Sequence, residues 1–156
     1  MSQNSIVFRG QNQLFVNTDL TKLFVFNNDF YSDNNTFYYN NSGSTDVTVP
    51  AGTVLGRVTA TGFLVPWTHG ATDGSQRPVG ILMNDVYIVY GETYQQGQPY
   101  CIRGQVAEQL LGLQGSDTLD TVVTDGYTAG TRVRDLITGL GIKLIYSDQN
   151  TMPDNY

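Results

Sequence analysis

The sequence has 156 residues, enough for one domain with a hydrophobic core, because a chain of this size buries about two-thirds of its unfolded surface. Charged residues make up 14% of the chain and the formal net charge is −6, which argues against a nucleic-acid-binding protein with its usual basic surface. The chain contains no apolar run close to the roughly 20 residues of a membrane span, no N-terminal signal-peptide pattern, and a single Cys101 that excludes an intramolecular disulfide.

Residues 1–46 are rich in aromatic residues and asparagine. Similar apolar pieces at 14–17 and 23–27 precede an aromatic segment at 36–39, which together predict about three or four short strands in hairpins. The intervening polar stretches predict turns at 27–29, 33–35 and 40–43. One interpretation is a β meander packed on the main body, and the other is an arm that adds strands to the sheet edge of a partner.

Turn residues separate the predicted strands between residues 47 and 82. Pro50 and Gly52 predict a tight bend before a strand at 53–59, and Gly62 predicts a hairpin into a strand at 63–65. Asp73 and Gly74 form another turn pair, which precedes a short apolar strand at 79–82.

The remaining sequence predicts strands separated by short helices. The predicted strands are 86–90, 98–107 with a bulge at Gly104, and 142–146, and the segment 91–98 reads as a loop. The predicted short helices are 108–113, 118–123 and 131–140, followed by a loose polar tail from 147 to 156. The chain is therefore predicted to be mainly β.

Few residues suit catalysis or metal binding. His69 is the only histidine, so neither a histidine-paired metal site nor a serine protease triad is predicted, and we interpret it as a loop or interface residue. Cys101 lies in an apolar strand and is interpreted as an inert packed thiol. The sequence predicts no cofactor and no metal. Seven tyrosines favour an interface function, with some packed in sheets: Tyr31, Tyr38, Tyr39, Tyr87, Tyr90, Tyr94 and Tyr100.

One ordered series of motifs resembles a known family. The residues P-A-G-T-V-L-G from Pro50, then F-L-V-P from Phe63, then Asp73-Gly74 and V-G-I-L from Val79 resemble the head decoration proteins of tailed bacteriophages, the family of phage lambda protein D. The resemblance covers roughly residues 47–145. It implies a single mainly β domain with the β-clip fold of these proteins, preceded by an N-terminal β-hairpin extension. The predicted division is an arm or meander at 1–46, the main domain at 47–146, and the tail at 147–156.

The resemblance implies a structural virion protein without enzymatic activity. Such a protein is made in the host cytoplasm and binds the outer surface of the expanded capsid as a homotrimer at three-fold positions, stabilising the shell against genome pressure. Its implied partners are the major capsid protein and its own copies, with no nucleic acid and no membrane. The predicted capsid-contact residues are Phe15, Val16, Phe24, Val25 and Phe26, and the predicted fold-determining turn residues are Pro50, Gly52, Asp73, Gly74 and Gly80.

Two other functions stay open at this point. A head-fibre base or glycan-binding surface module would need aromatic and Asn or Asp side chains on one exposed loop face. A small hydrolase would need a concave pocket converging on His69 or on paired aspartates.

Overall fold

A computed structural model describes Leu23, residues 30–124 and residues 126–146. Strands dominate this described part of the chain, which confirms the prediction of a mainly β single domain. The strands are β1 Phe30–Asn40, β2 Val47–Val49, β3 Val54–Arg57, β4 Leu64–Pro66, β5 Pro78–Leu82, β6 Val86–Ile88, β7 Thr93–Ala107 and β8 Ile142–Ile145. The helix α1 is Val133–Gly139, and 3-10 turns lie at Glu108–Leu110 and Gly126–Thr128.

The main sheet closes on itself. Its strands pair in the order β1, β4, β3, β5, β7, and β1 also pairs with β7, so that these five form a small barrel-like sheet. The antiparallel β1–β7 pairing runs from Phe30 opposite Gly104 to Asn40 opposite Thr93. β8 adds in parallel to residues 104–107 of β7, and β2 and β6 form a separate two-stranded ribbon.

The sheet has a hydrophobic core on each face. Leu55, Leu82 and Tyr100 belong to one buried cluster, together with the inward residues of the ribbon. Their chain neighbours Val54, Ile81 and Cys101 belong to the other cluster, which also contains Trp67 and the buried side of α1. Successive side chains of a strand point to opposite faces, so β3, β5 and β7 need apolar residues at consecutive positions.

Most of the strands predicted after residue 47 are confirmed, as are the last predicted helix and the turn after β7. Two predictions around the β1–β7 pair are wrong. Residues 33–35 were predicted to turn but lie inside β1, and residues 91–98 were predicted to form a loop although β7 begins at Thr93. Main-chain pairing of all of β1 with residues 93–104 of β7 overrides the turn preference of these mostly polar residues.

Three smaller predictions also differ from the structure. Residues 118–123 form turns rather than a helix, because the Thr118 N–H bonds to Thr121 Oγ1 and Val123 pairs with Thr131 instead. The irregularity in β7 falls at Ile102, where the β1 register shifts, rather than at Gly104. Gly80 lies within β5 and is therefore a strand glycine, not a turn glycine.

The predicted N-terminal segment is only partly visible in this fold. Its end forms β1, which lies in the main sheet between β4 and β7. Leu23 is buried in the core that contains α1. Residues 1–22 and 24–29, which include the predicted apolar strands, lie outside the described residues. The division at 46 and 146 therefore stays a prediction, as does the β-clip assignment.

Candidate functional site

An exposed surface formed by β6 and the adjoining loops lies at one end of the β2–β6 ribbon. We call it the tyrosine platform, formed by Asp46, Tyr87, Val89, Tyr90 and Glu92. Tyr87 and Tyr90 are each 60% exposed and Val89 is 40% exposed. The Tyr87 hydroxyl donates to the Asp46 carboxylate, and the Tyr90 N–H donates to Asp46 Oδ1 at 3.0 Å. These hydrogen bonds, that from Tyr87 first, lower the pKa of Asp46, so the platform presents a carboxylate beside its aromatic rings.

The buried Asn41 fixes the two loops that carry the platform. Its Nδ2 donates to the carbonyl oxygens of Thr45 at 3.0 Å and Ile88 at 3.2 Å. Its Oδ1 accepts from the Gly43 N–H at 3.2 Å, and its backbone carbonyl accepts from the Gly91 N–H at 2.8 Å. Both the oxygen and the nitrogen of the side-chain amide are hydrogen-bonded. The loops that carry the platform are therefore already ordered in the free chain.

A second surface is a groove of about 530 Å³ beside the β3–β4 hairpin. We call it the arginine groove, and its lining includes Arg57, Val58, Thr59, Thr72, Arg77 and Val79. None of the described residues that line it is acidic. The groove is therefore a basic concavity on a chain whose formal net charge is −6.

Two interactions position the arginine groove. Arg57 Nη2 donates to the Tyr100 hydroxyl at 2.7 Å, which holds the guanidinium at the end of β3. The turn at Asp73 and Gly74 folds against the same strand end, since the Thr59 N–H donates to the Asp73 carbonyl at 2.7 Å. Gly74 has φ 107° and approaches the Arg57 carbonyl so closely that a Cβ atom would lie 2.7 Å away. This position therefore requires glycine.

Asp73 closes its own turn. Its Oδ1 accepts from the Ser75 hydroxyl at 2.6 Å and from the Ser75 N–H at 3.0 Å. These bonds, the side-chain bond first, lower the pKa of Asp73. The Asp73 carboxylate is thus engaged locally, in agreement with its predicted place in a turn.

His69 connects two loops. Its Nδ1 lies 3.3 Å from Asp117 Oδ1, its Nε2 lies 3.4 Å from Thr124 Oγ1, and its ring stacks on Trp67 with 5.8 Å between centroids. The order of carboxylate, imidazole and hydroxyl resembles a catalytic relay, but both separations exceed the roughly 2.6–3.2 Å typical of such contacts. The geometry supports a loop-bridging interaction.

Cys101 is fully buried and donates weakly to the Arg103 carbonyl at 3.2 Å. Burial raises its pKa from 9.0 to about 11, so the thiol stays protonated at neutral pH. The prediction of a packed thiol is confirmed. Within the described ranges, no group of three or more His, Cys, Asp or Glu side chains is placed to hold a metal ion, and no helix is long and apolar enough to cross a membrane.

The predicted site residues fall into two groups. The proposed capsid-contact residues Phe15, Val16, Phe24, Val25 and Phe26 lie outside the described residues. Pro50 and Gly52 form the bend before β3, where the Pro50 carbonyl accepts from Thr53 Oγ1 at 2.7 Å and Gly52 has φ 95°. A Cβ at Gly52 would collide with the Leu110 carbonyl. Their roles in determining the fold stay predictions.

The sequence predicts the aromatic surface but not the groove. Of the seven tyrosines singled out, Tyr31, Tyr87 and Tyr90 are strongly exposed, while Tyr100 is buried. Arg57 and Arg77 are separated along the chain, and only the fold of the hairpin and the Asp73 turn brings them to one groove. No sequence pattern connects them.

The comparison with known families adds one finding. The family described as Bacteriophage lambda head decoration protein D matches residues 30–118, more than half of the chain. The match begins at β1, earlier than the resemblance at 47–145 suggested, and includes every strand of the closed sheet. It also includes the tyrosine platform and the arginine groove. No curated protein sequence matches the chain.

Proposed function

The chain belongs to the family of the bacteriophage lambda head decoration protein D, and we propose that it binds the outside of the expanded phage capsid as a homotrimer at three-fold positions. The observation that carries this proposal is the family match over the complete closed sheet. The family is one of structural phage-head proteins, not known as enzymes. The protein's partners would be the major capsid protein and two further copies of itself.

The proposed mechanism is thermodynamic linkage. A protein that binds the expanded shell, and not the unexpanded one, stabilises the expanded state by mass action. Three linked copies contact several capsid subunits at once, so the effective concentration of each further contact is high. Neither step requires a cofactor or a chemical reaction.

We place the capsid contact in the N-terminal segment. Phe15, Val16, Phe24, Val25 and Phe26 belong to apolar strand candidates, and a strand added to a sheet edge binds through its backbone hydrogen bonds while its side chains supply specificity. The assignment rests on the sequence pattern alone.

The test of the proposed function is binding to heads of the parent phage from which this protein has been removed. Purified protein is added to expanded and to unexpanded heads, and binding is measured by co-sedimentation and by averaged electron microscopy. We expect saturable binding to expanded heads, with density from three copies at each three-fold position. Failure to bind either kind of head would exclude the proposal.

The contact residues need a separate test. Residues 1–22 can be deleted without removing the buried Leu23 or β1, which begins at Phe30. We expect this truncation to fold and to lose most of its affinity for heads, and Phe24→Ser with Phe26→Ser to weaken the full-length chain. Unchanged binding of both variants would remove the contact assignment while leaving the decoration function intact.

A head-fibre base or glycan-binding module is the alternative function. The observation that favours it is the tyrosine platform, where Tyr87 and Tyr90 lie beside Asp46 on one exposed face. Binding to a glycan array, abolished by Tyr87→Ala and Tyr90→Ala, would support this alternative.

A further inference from the structure

The tyrosine platform carries a carboxylate that can accept more hydrogen bonds than its own chain supplies. Asp46 is exposed, its Oδ2 accepts from the Tyr87 hydroxyl, and its Oδ1 accepts from the Tyr90 N–H. A carboxylate has about four lone-pair positions, so each oxygen of Asp46 can accept one further hydrogen bond. We propose that the platform binds an arginine side chain of the major capsid protein. The inference rests on the proposed function, to which it adds a second capsid contact.

The negative charge of the platform is not neutralised within the described part of the chain. No described cationic side chain forms an ion pair with Asp46 or with the exposed Glu92. Glu92 belongs to the same surface turn, since its N–H donates to the Val89 carbonyl at 3.2 Å. By contrast, Glu108 contacts Arg134 of its own chain at 3.2 Å. The platform therefore presents two carboxylates that attract a cation from outside the chain.

The arrangement favours arginine over lysine as the bound cation. A guanidinium group donates two parallel hydrogen bonds to the two oxygens of one carboxylate, whereas an ammonium group is a compact point charge. The open position on each oxygen of Asp46 suits such a two-pronged donor. Tyr87 and Tyr90, each 60% exposed, also offer rings on which a guanidinium can stack.

The platform is ordered before it binds. Asn41 holds the loops through its hydrogen bonds to the carbonyls of Thr45 and Ile88. The Asp46 carboxylate is oriented by its own two donors, one from the Tyr90 backbone. Binding an arginine would therefore immobilise few groups of this chain, so that little of the interaction free energy is lost to ordering.

The arginine is assigned to a different protein rather than to a second copy of this chain. The arginines in the described part of the chain already interact with other groups of that chain: Arg57, Arg77, Arg103, Arg132 and Arg134. An arginine without such interactions gives up nothing of this kind when it binds. The major capsid protein is the proposed partner that can supply one.

The first test uses tripeptides as probes of the platform. Acetyl-Gly-Arg-Gly-amide, and the same peptide with lysine or citrulline in place of arginine, are titrated into isotope-labelled protein. The NMR signal of the Tyr90 amide is the readout, because this N–H bonds directly to Asp46. We expect a saturable shift with arginine, a weaker response with lysine, and none with citrulline, which has the shape of arginine without its charge.

Asp46→Asn and Asp85→Asn form a matched pair of variants. Both aspartates are exposed and accept from a backbone N–H, Asp85 from Ala51 at 2.7 Å, but only Asp46 belongs to the platform. We expect Asp46→Asn to weaken binding of the arginine peptide by about threefold or more, and Asp85→Asn to leave it unchanged. Tyr90→Leu keeps the backbone bond to Asp46 but removes the ring, and should also weaken binding. Circular dichroism verifies that each variant folds.

The second test measures the same variants on expanded heads. Binding is followed by co-sedimentation at low and at physiological salt. We expect Asp46→Asn to bind about tenfold more weakly or worse, since all three copies of a trimer lose the contact together. Its affinity should also fall less steeply with salt than that of the unaltered chain, because one charged contact is missing. Asp85→Asn should bind as the unaltered chain does.

The outcomes separate this inference from the proposed function. Equal binding of the citrulline and arginine peptides, or an unchanged affinity of Asp46→Asn for the arginine peptide, would overturn the arginine site. If peptide binding depends on Asp46 but heads bind Asp46→Asn as tightly as the unaltered chain, the capsid contact is overturned and the decoration function stands. If the unaltered chain binds the arginine peptide but no heads, the decoration function fails, and the arginine site stands without the capsid as its partner.

Discussion

Gly80 lies where β5 passes β7, and a Cβ atom there would come within 2.5 Å of the Cys101 carbonyl oxygen and 2.6 Å of Tyr100 Cδ2. Both neighbours belong to the middle of the sheet and cannot move aside without disturbing it. We expect Gly80→Ala to lower the free energy of unfolding by about 1–3 kcal/mol, as overpacking does in other cores. Urea unfolding followed by circular dichroism measures the change.

Gly139 provides the matched control. It ends α1, and a Cβ atom there would meet no other atom within 4 Å. Gly139→Ala should therefore leave stability unchanged or raise it by up to about 1 kcal/mol, because alanine favours the helix. Equal destabilisation by both substitutions would contradict the argument from close approach.

Cys101 makes the free energy of unfolding depend on pH in the alkaline range. Its thiol has a pKa of about 11 in the folded chain and an ordinary value of 9.0 when exposed. Above pH 9 the unfolded chain loses this proton while the folded chain keeps it, so the unfolded state is favoured as the pH rises towards 11. We expect this group to lower stability by up to about 1.4 kcal/mol per pH unit in that window.

The control for this prediction is Cys101→Ala. The substitution removes the thiol and leaves the tyrosines, whose ionisation also affects alkaline stability. Unfolding free energies measured between pH 8 and pH 11 should fall less steeply in the variant than in the original chain. Parallel slopes would show that the thiol does not titrate differently in the two states.

At the scale of elements, β1 decides which truncations fold. Phe37 is fully buried, and β1 pairs with both β4 and β7, so its loss would open the closed sheet. We expect deletion of residues 1–46 to abolish cooperative thermal unfolding, and deletion of residues 1–22 to preserve it. A cooperative transition in the shorter product would show that the sheet does not need β1.

Some of the strands follow from local sequence, and others depend on pairing with distant strands. Short strands with apolar residues on both faces, such as β3 and β5, were predicted because their composition and flanking turn residues agree with the fold. The first parts of β1 and β7 were not predicted to be strands, because Asp33, Asn34 and Gln96 favour turns or loops locally. Only pairing between the two strands, distant in sequence, makes these segments extended.

The candidate surfaces also depend partly on local sequence and partly on contacts between distant segments. Exposed tyrosines could be anticipated from composition, and the Asp73–Gly74 turn from its residue types. The arginine groove could not be anticipated, since Arg57 and Arg77 line one groove only after the β3–β4 hairpin and the Asp73 turn have folded together. The Asn41 contacts that hold the platform also depend on residues 88–92 of the same chain, which are distant from Asn41 in sequence.

At the scale of the whole molecule, decoration links two equilibria, the binding of this protein and the integrity of the shell. If the protein binds only intact expanded heads, each site stabilises them by RT ln(1 + [L]/Kd), about 2.7 kcal/mol at a free concentration of 100 Kd. We therefore expect the temperature at which filled heads release their genome to rise with protein concentration and to level off once the sites are full. Release is measured by fluorescence of a DNA-binding dye during heating. The truncation lacking residues 1–22 serves as the control, because its weaker shell binding should move the rise in release temperature to higher protein concentrations. A rise of the same size at the same concentrations with that variant would show that the protein protects heads by some route other than binding through its N-terminal segment.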